Sequence, residues 1–175
     1  MTAPEAAQAL GVWTRAVRDA DLRGDVNLLY DATVSQGVAS AHGTLAVRLR
    51  GEAVDASLAG PVGASLATYA DGQLRGEKIR TMAIAPRQFR ALLAGVWPGD
   101  APEIRGRRSG QALLVWSGAD AANGVLDLAA GRLVRLSISR PEGEIEARYA
   151  GPWTPWPDAV VIDEKRFDVA VHAAM

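Results

Sequence analysis

The sequence predicts a mainly β protein with helices. The expected form is a barrel or strongly curved antiparallel sheet of about ten strands, with an N-terminal helix and one helix inserted among the strands. Three observations predict it. Short segments of period-two alternation recur at regular spacing from Leu22 onward. Turn residues separate them: Gly51-Glu52, Asp71-Gly72, Ala130-Gly131 and Pro141-Glu142-Gly143. Two stretches, residues 4–20 and 86–96, carry helical spacing instead. With 175 residues, 49% apolar and 22% charged, the chain suits a single domain, residues 1–175, with a substantial core. No internal repeat is visible.

The first helix rests on Ala6, Leu10, Trp13 and Val17, with Glu5, Arg15, Arg18 and Asp19 off that stripe and Pro4 in the first turn. Its apolar stripe needs a partner, most simply a sheet face. Strands then follow at Val26-Leu28-Tyr30, at residues 44–50, at Val54-Ala56-Leu58, from Leu66 to Ala70, and at residues 74–79. Residues 35–42 are small and polar and read as a loop or hairpin. The second helix carries Phe89, Leu92, Leu93 and Val96 at i, i+3, i+4 and i+7, with Pro86 in its first turn and Pro98-Gly99 stopping it. Residues 104–109 read as a basic loop, residues 111–116 as a buried strand and residues 119–123 as a turn. Strands follow at residues 125–128, 133–139 and 144–149. Residues 151–157 are too Pro-rich for a central strand. A last hairpin, residues 160–162 and 166–171, turns near residues 163–165.

The inward positions of such a sheet are Val26, Leu28, Tyr30, Leu45, Val47, Leu49, Val54, Leu58, Leu113, Val115, Leu126, Leu136 and Ile138. They either fill an ordinary core or line a half-open cavity for an acyl chain or other apolar ligand. Of the five tryptophans, Trp13 and Trp116 fall in regular elements. Trp97, Trp153 and Trp156 lie near prolines, where they line a rim or cap the core.

Composition narrows the function. Net charge is −1 and the densest basic run, residues 105–108, is too short for a polyanion groove, so no nucleic-acid partner is expected. There is no cysteine, which removes disulfide and thiol chemistry. The two histidines, His42 and His172, stand apart, and no metal-ligand spacing occurs. Glu142, Glu144 and Glu146 share one strand face, where mutual repulsion favours a solvated surface over an acid/base pair. No nucleophile elbow or phosphate-cradling glycine motif is present. The expectation is a non-enzymatic protein without cofactor or metal. No run of about 18 apolar residues marks a transmembrane helix. Residues 2–9 do not read as a signal peptide, so the chain is either cytosolic or delivered by a segment upstream.

One stretch departs from ordinary turn chemistry. Between two strands stands Leu58-Ala59-Gly60-Pro61-Val62-Gly63-Ala64-Ser65-Leu66, whose one sizeable tip side chain, Val62, is apolar. Turns usually carry polar residues because they face water. Val62 is therefore either covered by another segment or presented to a lipid, a membrane or a hydrophobic partner.

The order of these features resembles the LolA/LolB-like periplasmic lipoprotein-localisation family, with greater likeness to the outer-membrane lipoprotein receptor LolB. The residues that carry it are Leu22-Arg23-Gly24, then Leu58-Ala59-Gly60-Pro61-Val62-Gly63, then Ala85-Pro86-Arg87-Gln88-Phe89 into Leu92-Leu93-Ala94-Gly95 and Pro98-Gly99, and finally Pro155-Trp156-Pro157-Asp158. The resemblance implies a half-open barrel whose apolar cavity accepts the acyl chains of lipoproteins. It implies a lid of Phe89, Leu92, Leu93, Val96 and Trp97, and a membrane-insertion loop of Pro61, Val62 and Gly63. It implies a monomer that meets a periplasmic carrier protein and the periplasmic side of the outer membrane, held there by a lipid on a cysteine upstream of residue 3. Two departures stand out. Valine at the loop tip is smaller than the leucine expected. The link from Gly76 to Ala85 is too short for a further lid helix.

Overall fold

Elements follow the change of period along the chain. The computed structural model describes residues 2–20, 24–36, 39–77, 79–119, 121–141, 143–153 and 156–165. They form α1 (Ala3–Asp19), then β1 (Val26–Gln36), β2 (Ala39–Arg50), β3 (Ala53–Ala59), β4 (Ser65–Ala70), β5 (Gln73–Gly76) and β6 (Ile79–Ala83). After α2 (Pro86–Ala94) come β7 (Glu103–Arg108), β8 (Gln111–Trp116), β9 (Ala122–Asp127), β10 (Arg132–Arg140), β11 (Gly143–Trp153) and β12 (Pro157–Lys165). The mainly β, antiparallel character matches the expectation. The strands form two six-stranded sheets instead of one sheet of about ten: β1 to β6 in sequence order, and β7 to β12 likewise. Among the described residues no ladder joins the two sheets and neither closes into a barrel. A helix followed by a six-strand meander thus occurs twice, a repetition of architecture that the residue pattern does not display.

The misread segments have physical reasons. Of residues 104–109, taken for a loop, 104–108 belong to β7 and only Ser109 lies in the turn that follows. The strand β7 is an edge strand, where charges such as Arg105, Arg107 and Arg108 stay solvated and discourage further pairing. Within the stretch read as a loop or hairpin, residues 35–36 and 39–42 belong to the antiparallel β1–β2 ladder, which runs from Val26↔Leu49 to Gln36↔Ala39, so the hairpin alternative holds. Ala122 and Asn123, taken for part of a turn, already pair in β9. Residues 163–165, expected near a turn, extend β12 along β11. Pro157 opens β12, an edge strand whose first residue tolerates a missing N–H. The expected strand at residues 166–171 lies outside the described residues, as do Leu22 and Arg23 of Leu22-Arg23-Gly24.

Strand parity corrects two inward positions. In β8 the buried residues are Ala112, Leu114 and Trp116. Ala112 pairs with Leu126 and Leu114 with Gly124, so these share the inner face with the fully buried Leu126. Leu113 and Val115 therefore point outward, Leu113 with 38% of its surface exposed. The run Ala-Leu-Leu-Val-Trp is apolar on both parities, so alternation could not choose its face. The large Trp116 decides it by packing edge-on to Trp13 of α1, 5.2 Å between centroids.

That contact places α1 on the second sheet. The helix starts at a capping arrangement in which the Thr2 N–H donates to Glu5 Oε2 at 2.8 Å, which holds the Glu5 carboxyl below its usual range. Ala9 and Trp13 are buried, and Glu5 and Gln8 reach Arg107 of β7.

The second helix is the centre of the fold. Every residue from 89 to 97 is buried. Phe89 stacks on Tyr69 of the first sheet, 4.4 Å between centroids, and the Tyr149 hydroxyl of the second sheet donates to the Leu92 carbonyl at 2.7 Å. Arg90, 4% exposed, donates from Nη1 to the Gly51 carbonyl (2.5 Å) and from Nη2 to the Gly24 carbonyl (2.7 Å). These bonds tie the helix to the β2–β3 turn and to the entry of β1. Of the residues expected to form a lid, Phe89, Leu92 and Leu93 lie on this helix and Val96 and Trp97 just beyond its end, and all five are buried. An amphipathic stripe in sequence shows one apolar face but cannot show that small Ala91 and Ala94 let a second face be buried too.

The two anchoring tyrosines give an alkaline signature. Burial pushes the Tyr69 phenol up to about 12 and Tyr149 well above its ordinary value. The unfolded chain releases these protons near pH 10 while the native state holds them. The stabilisation is complete below about pH 10 and is lost as pH rises through the raised values. Unfolding free energy is expected to fall by about 2–3 kcal/mol between pH 10 and 12 through Tyr69. Tyr69→Phe should flatten that decline in denaturant titrations. An unchanged slope in both Tyr69→Phe and Tyr149→Phe would refute this assignment.

Candidate functional site

The loop between β3 and β4 is built to present its tip. The Gly63 N–H donates to the Gly60 carbonyl at 2.9 Å, closing a turn with Pro61 and Val62 at its corners. Proline presets the first corner. Gly63 then takes φ of 76°, and the Gly60 N–H donates to the Ala64 carbonyl at 2.9 Å. This is the pattern of a type I turn followed by a left-handed glycine and a bulge, and the ladder register shifts accordingly between Leu58 and Ala59. A side chain at position 63 would strain that backbone. Pro61, Val62 and Gly63 are all exposed, and Val62 at 92% is the most exposed large apolar residue described, ahead of Leu29 at 74%.

The apolar character continues from tip to core. The register Tyr30↔Leu45, Leu45↔Leu58 and Leu58↔Ala67 runs across the sheet one step inside the loop. Tyr30, Leu45 and Leu66 are half-buried there and pack against the core, while Leu58 is sealed. No charged residue occurs from position 56 to 70. At this end of the first sheet an uncharged hairpin joins a protruding valine to a partly covered apolar stripe.

The other inward positions differ in cover. Val47, Leu49, Val54, Leu58, Leu126, Leu136 and Ile138 are buried within one continuous cluster, together with the α2 residues. Val26, Leu28 and Tyr30 of the edge strand β1, and Leu45 of its neighbour β2, are half-buried. Three surface pockets of about 300, 270 and 420 Å³ are lined by none of the first-sheet aliphatics. Val96 borders the first, Leu113 the second, and Trp97 and Val115 the third.

Sequence reasoning missed two polar groups. Arg90 is one; its guanidinium serves two backbone carbonyls at the base of the core. Glu146 is the other. It was assigned to a solvated face but is 3% exposed, with Arg148 Nη2 2.7 Å and Arg135 Nη1 4.0 Å from its carboxylate and Ser137 Oγ donating at 3.3 Å. The cross-strand pairing Ser137↔Glu146 beside Arg135↔Arg148 supplies the compensation that makes such burial tolerable. Glu144 is half-buried, and Glu142 lies outside the described residues. The alternation i, i+2 of arginine and glutamate across β10 and β11 was the available signal, but it needs the register to be read.

Among the described residues no cluster of three or more histidine, cysteine, aspartate or glutamate side chains gathers as a metal site, and no helix is long and apolar enough to cross a membrane. The chain matches no protein-family model, and no curated protein is similar to it. The fold and loop together define a mainly β, two-sheet protein around a shared helix, with an uncharged apolar hairpin at one end.

Proposed function

We propose that this chain is a non-enzymatic lipid-handling protein of the LolA/LolB type, accepting the acyl chains of lipoproteins and helping to insert them into the outer membrane from its periplasmic side. The observation that carries the reading is the fixed, fully presented Val62 at the tip of an uncharged loop. A soluble protein gains nothing in water from an exposed apolar wedge on a preset turn, whereas a bilayer interface rewards it. In this reading the two sheets are the halves of an incomplete barrel around α2. The acyl chain follows the half-buried stripe of Tyr30, Leu45 and Leu66 that leads from the loop toward the core. Each buried methylene contributes about 0.8 kcal/mol, so partial cover is enough for capture, and a nearby bilayer is an adequate acceptor.

A second reading is favoured by the packing of α2. A core filled from both sheets suits a scaffold or interaction module of the envelope, in which Val62 meets a protein and not a lipid. Native mass spectrometry with a triacylated lipopeptide separates the two. The carrier reading expects a one-to-one complex that survives gel filtration and loses its lipopeptide to added vesicles. A protein that takes up neither lipopeptide nor fatty acid, and does not bind vesicles, leaves the scaffold.

A further inference from the structure

A second site lies away from the Val62 loop, where the C-terminal ends of both helices meet the β9–β10 turn around a pocket of about 300 Å³. Its charged lining is Arg15 and Asp19 of α1 and Arg132, the first residue of β10. The Arg132 guanidinium lies over the Trp153 indole, 5.1 Å from the ring centroid. That ring is held in place. Tyr149 tilts against it at 5.4 Å, and Gly95, in the left-handed conformation that ends α2 (φ 63°), leaves space that any side chain there would take from the ring. Arginine stacked on an aromatic face keeps its N–H fork free to bind in the plane. Among the described residues no ion pair engages Arg132, Arg15 or Asp19, although Arg15 and Asp19 stand four apart on one helix face.

The charges are mixed, and that selects the ligand. Two guanidinium groups favour an oxyanion. Asp19 and the carbonyl-bearing end of α2, at residues 94–96, favour a cation. An anion alone would meet the aspartate and the helix end; a cation alone would meet both arginines. We propose that this pocket binds a small zwitterion carrying an oxyanion and a primary ammonium a few bonds apart, with the oxyanion on Arg132 and Arg15 and the ammonium toward Asp19. The volume lies at the lower limit for ligand pockets and fits a head group better than a hydrocarbon chain. The same chemistry occurs in a free aminoalkyl phosphate and in a phospholipid head.

The test is a titration of the intact protein with O-phosphoethanolamine. The readout is the Trp153 indole N–H resonance, assigned with Trp153→Phe. A saturable shift is expected, with inorganic phosphate and ethanolamine each binding at least tenfold more weakly. Arg132→Gln should weaken O-phosphoethanolamine at least tenfold, and Asp19→Asn should bring it level with phosphate. Should Arg132→Gln disturb the amide spectrum, Arg15→Gln replaces it, with a loss of at least threefold. A shift that only tracks ionic strength, equal binding of phosphate and O-phosphoethanolamine by the wild type, or unchanged affinity in the arginine variants overturns the proposal. Dihexanoyl phosphatidylethanolamine below its micellar concentration identifies the source: tighter binding than the free head group points to a lipid, exclusion to a free zwitterion.

Discussion

Leu92→Ala is expected to destabilise the protein by about 3–5 kcal/mol, and Leu114→Ala by a similar amount, whereas Leu113→Ala should change stability by less than about 1 kcal/mol. Leu92 and Leu114 are fully buried, and removing three carbons from either leaves a cavity that close-packed neighbours cannot refill. Leu92 matters twice over. It lies on the helix that both sheets grip, and its carbonyl receives the Tyr149 hydroxyl at 2.7 Å, so a shift of the helix also loosens that bond. In a chain of this size each kcal/mol moves the midpoint by about 2–4 °C, so Leu92→Ala should lower Tm by roughly 10 °C. Because α2 is shared, near- and far-ultraviolet signals should still fall together in one transition. Two separated transitions in the variant would mean that the sheets stand independently and that α2 is not their common core. Equal losses in Leu113→Ala and Leu114→Ala would reverse the face assigned to β8.

The contrast between Leu113 and Leu114 also shows where sequence reasoning reaches its limit. Where alternation sets aliphatic against polar residues, as in β2 and β3, the inner face was legible: Val47, Leu49, Val54 and Leu58 are all buried. Where a strand is apolar on both parities the face is set by partners far away in sequence, here Trp13 and Leu126. The two helices were legible within two residues at their ends because Pro4, Pro86 and Gly95 punctuate them. The split into two sheets was not legible, because it depends on whether β6 and β7 pair across α2, and no local residue reports that.

The candidate site was legible in part for the same reason. The β3–β4 loop is local: glycine, proline and glycine at fixed offsets determine the turn, and the exposure of Val62 follows from its place at the corner. The cover over the inner face is non-local. The stripe Phe89, Leu92, Leu93, Val96 announces an amphipathic helix, but Arg90 reaching to Gly24 and Gly51 decides how deeply it sinks, and those carbonyls are distant in sequence. An arginine inside a helix reads as a solvated face until its acceptors are known. Glu146 repeats the lesson, since its burial depends on arginines placed beside it by strand register.

Val62→Glu is expected to leave folding unchanged while removing membrane association. The side chain is 92% exposed and the turn is held by backbone hydrogen bonds and Gly63, so neither packing nor geometry depends on the valine. The stability change should stay within about 0.5 kcal/mol in denaturant unfolding. Transfer of a valine side chain out of water contributes about 1.5 kcal/mol, and a carboxylate in its place adds a desolvation penalty, so partition onto phospholipid vesicles should drop at least tenfold. Val62→Leu should act in the opposite direction, since the larger wedge buries more carbon on the same turn. Gly63→Val provides a different control. It keeps the loop apolar but forces a β-branched residue into the left-handed region, so it should lower stability by about 1–3 kcal/mol and misdirect the tip. Loss of partition in Val62→Glu with gain in Val62→Leu isolates the wedge from the turn that holds it. If vesicle binding and lipopeptide transfer are the same for Glu, Val and Leu at position 62, the loop is not the membrane contact, and the apolar tip must serve a protein partner.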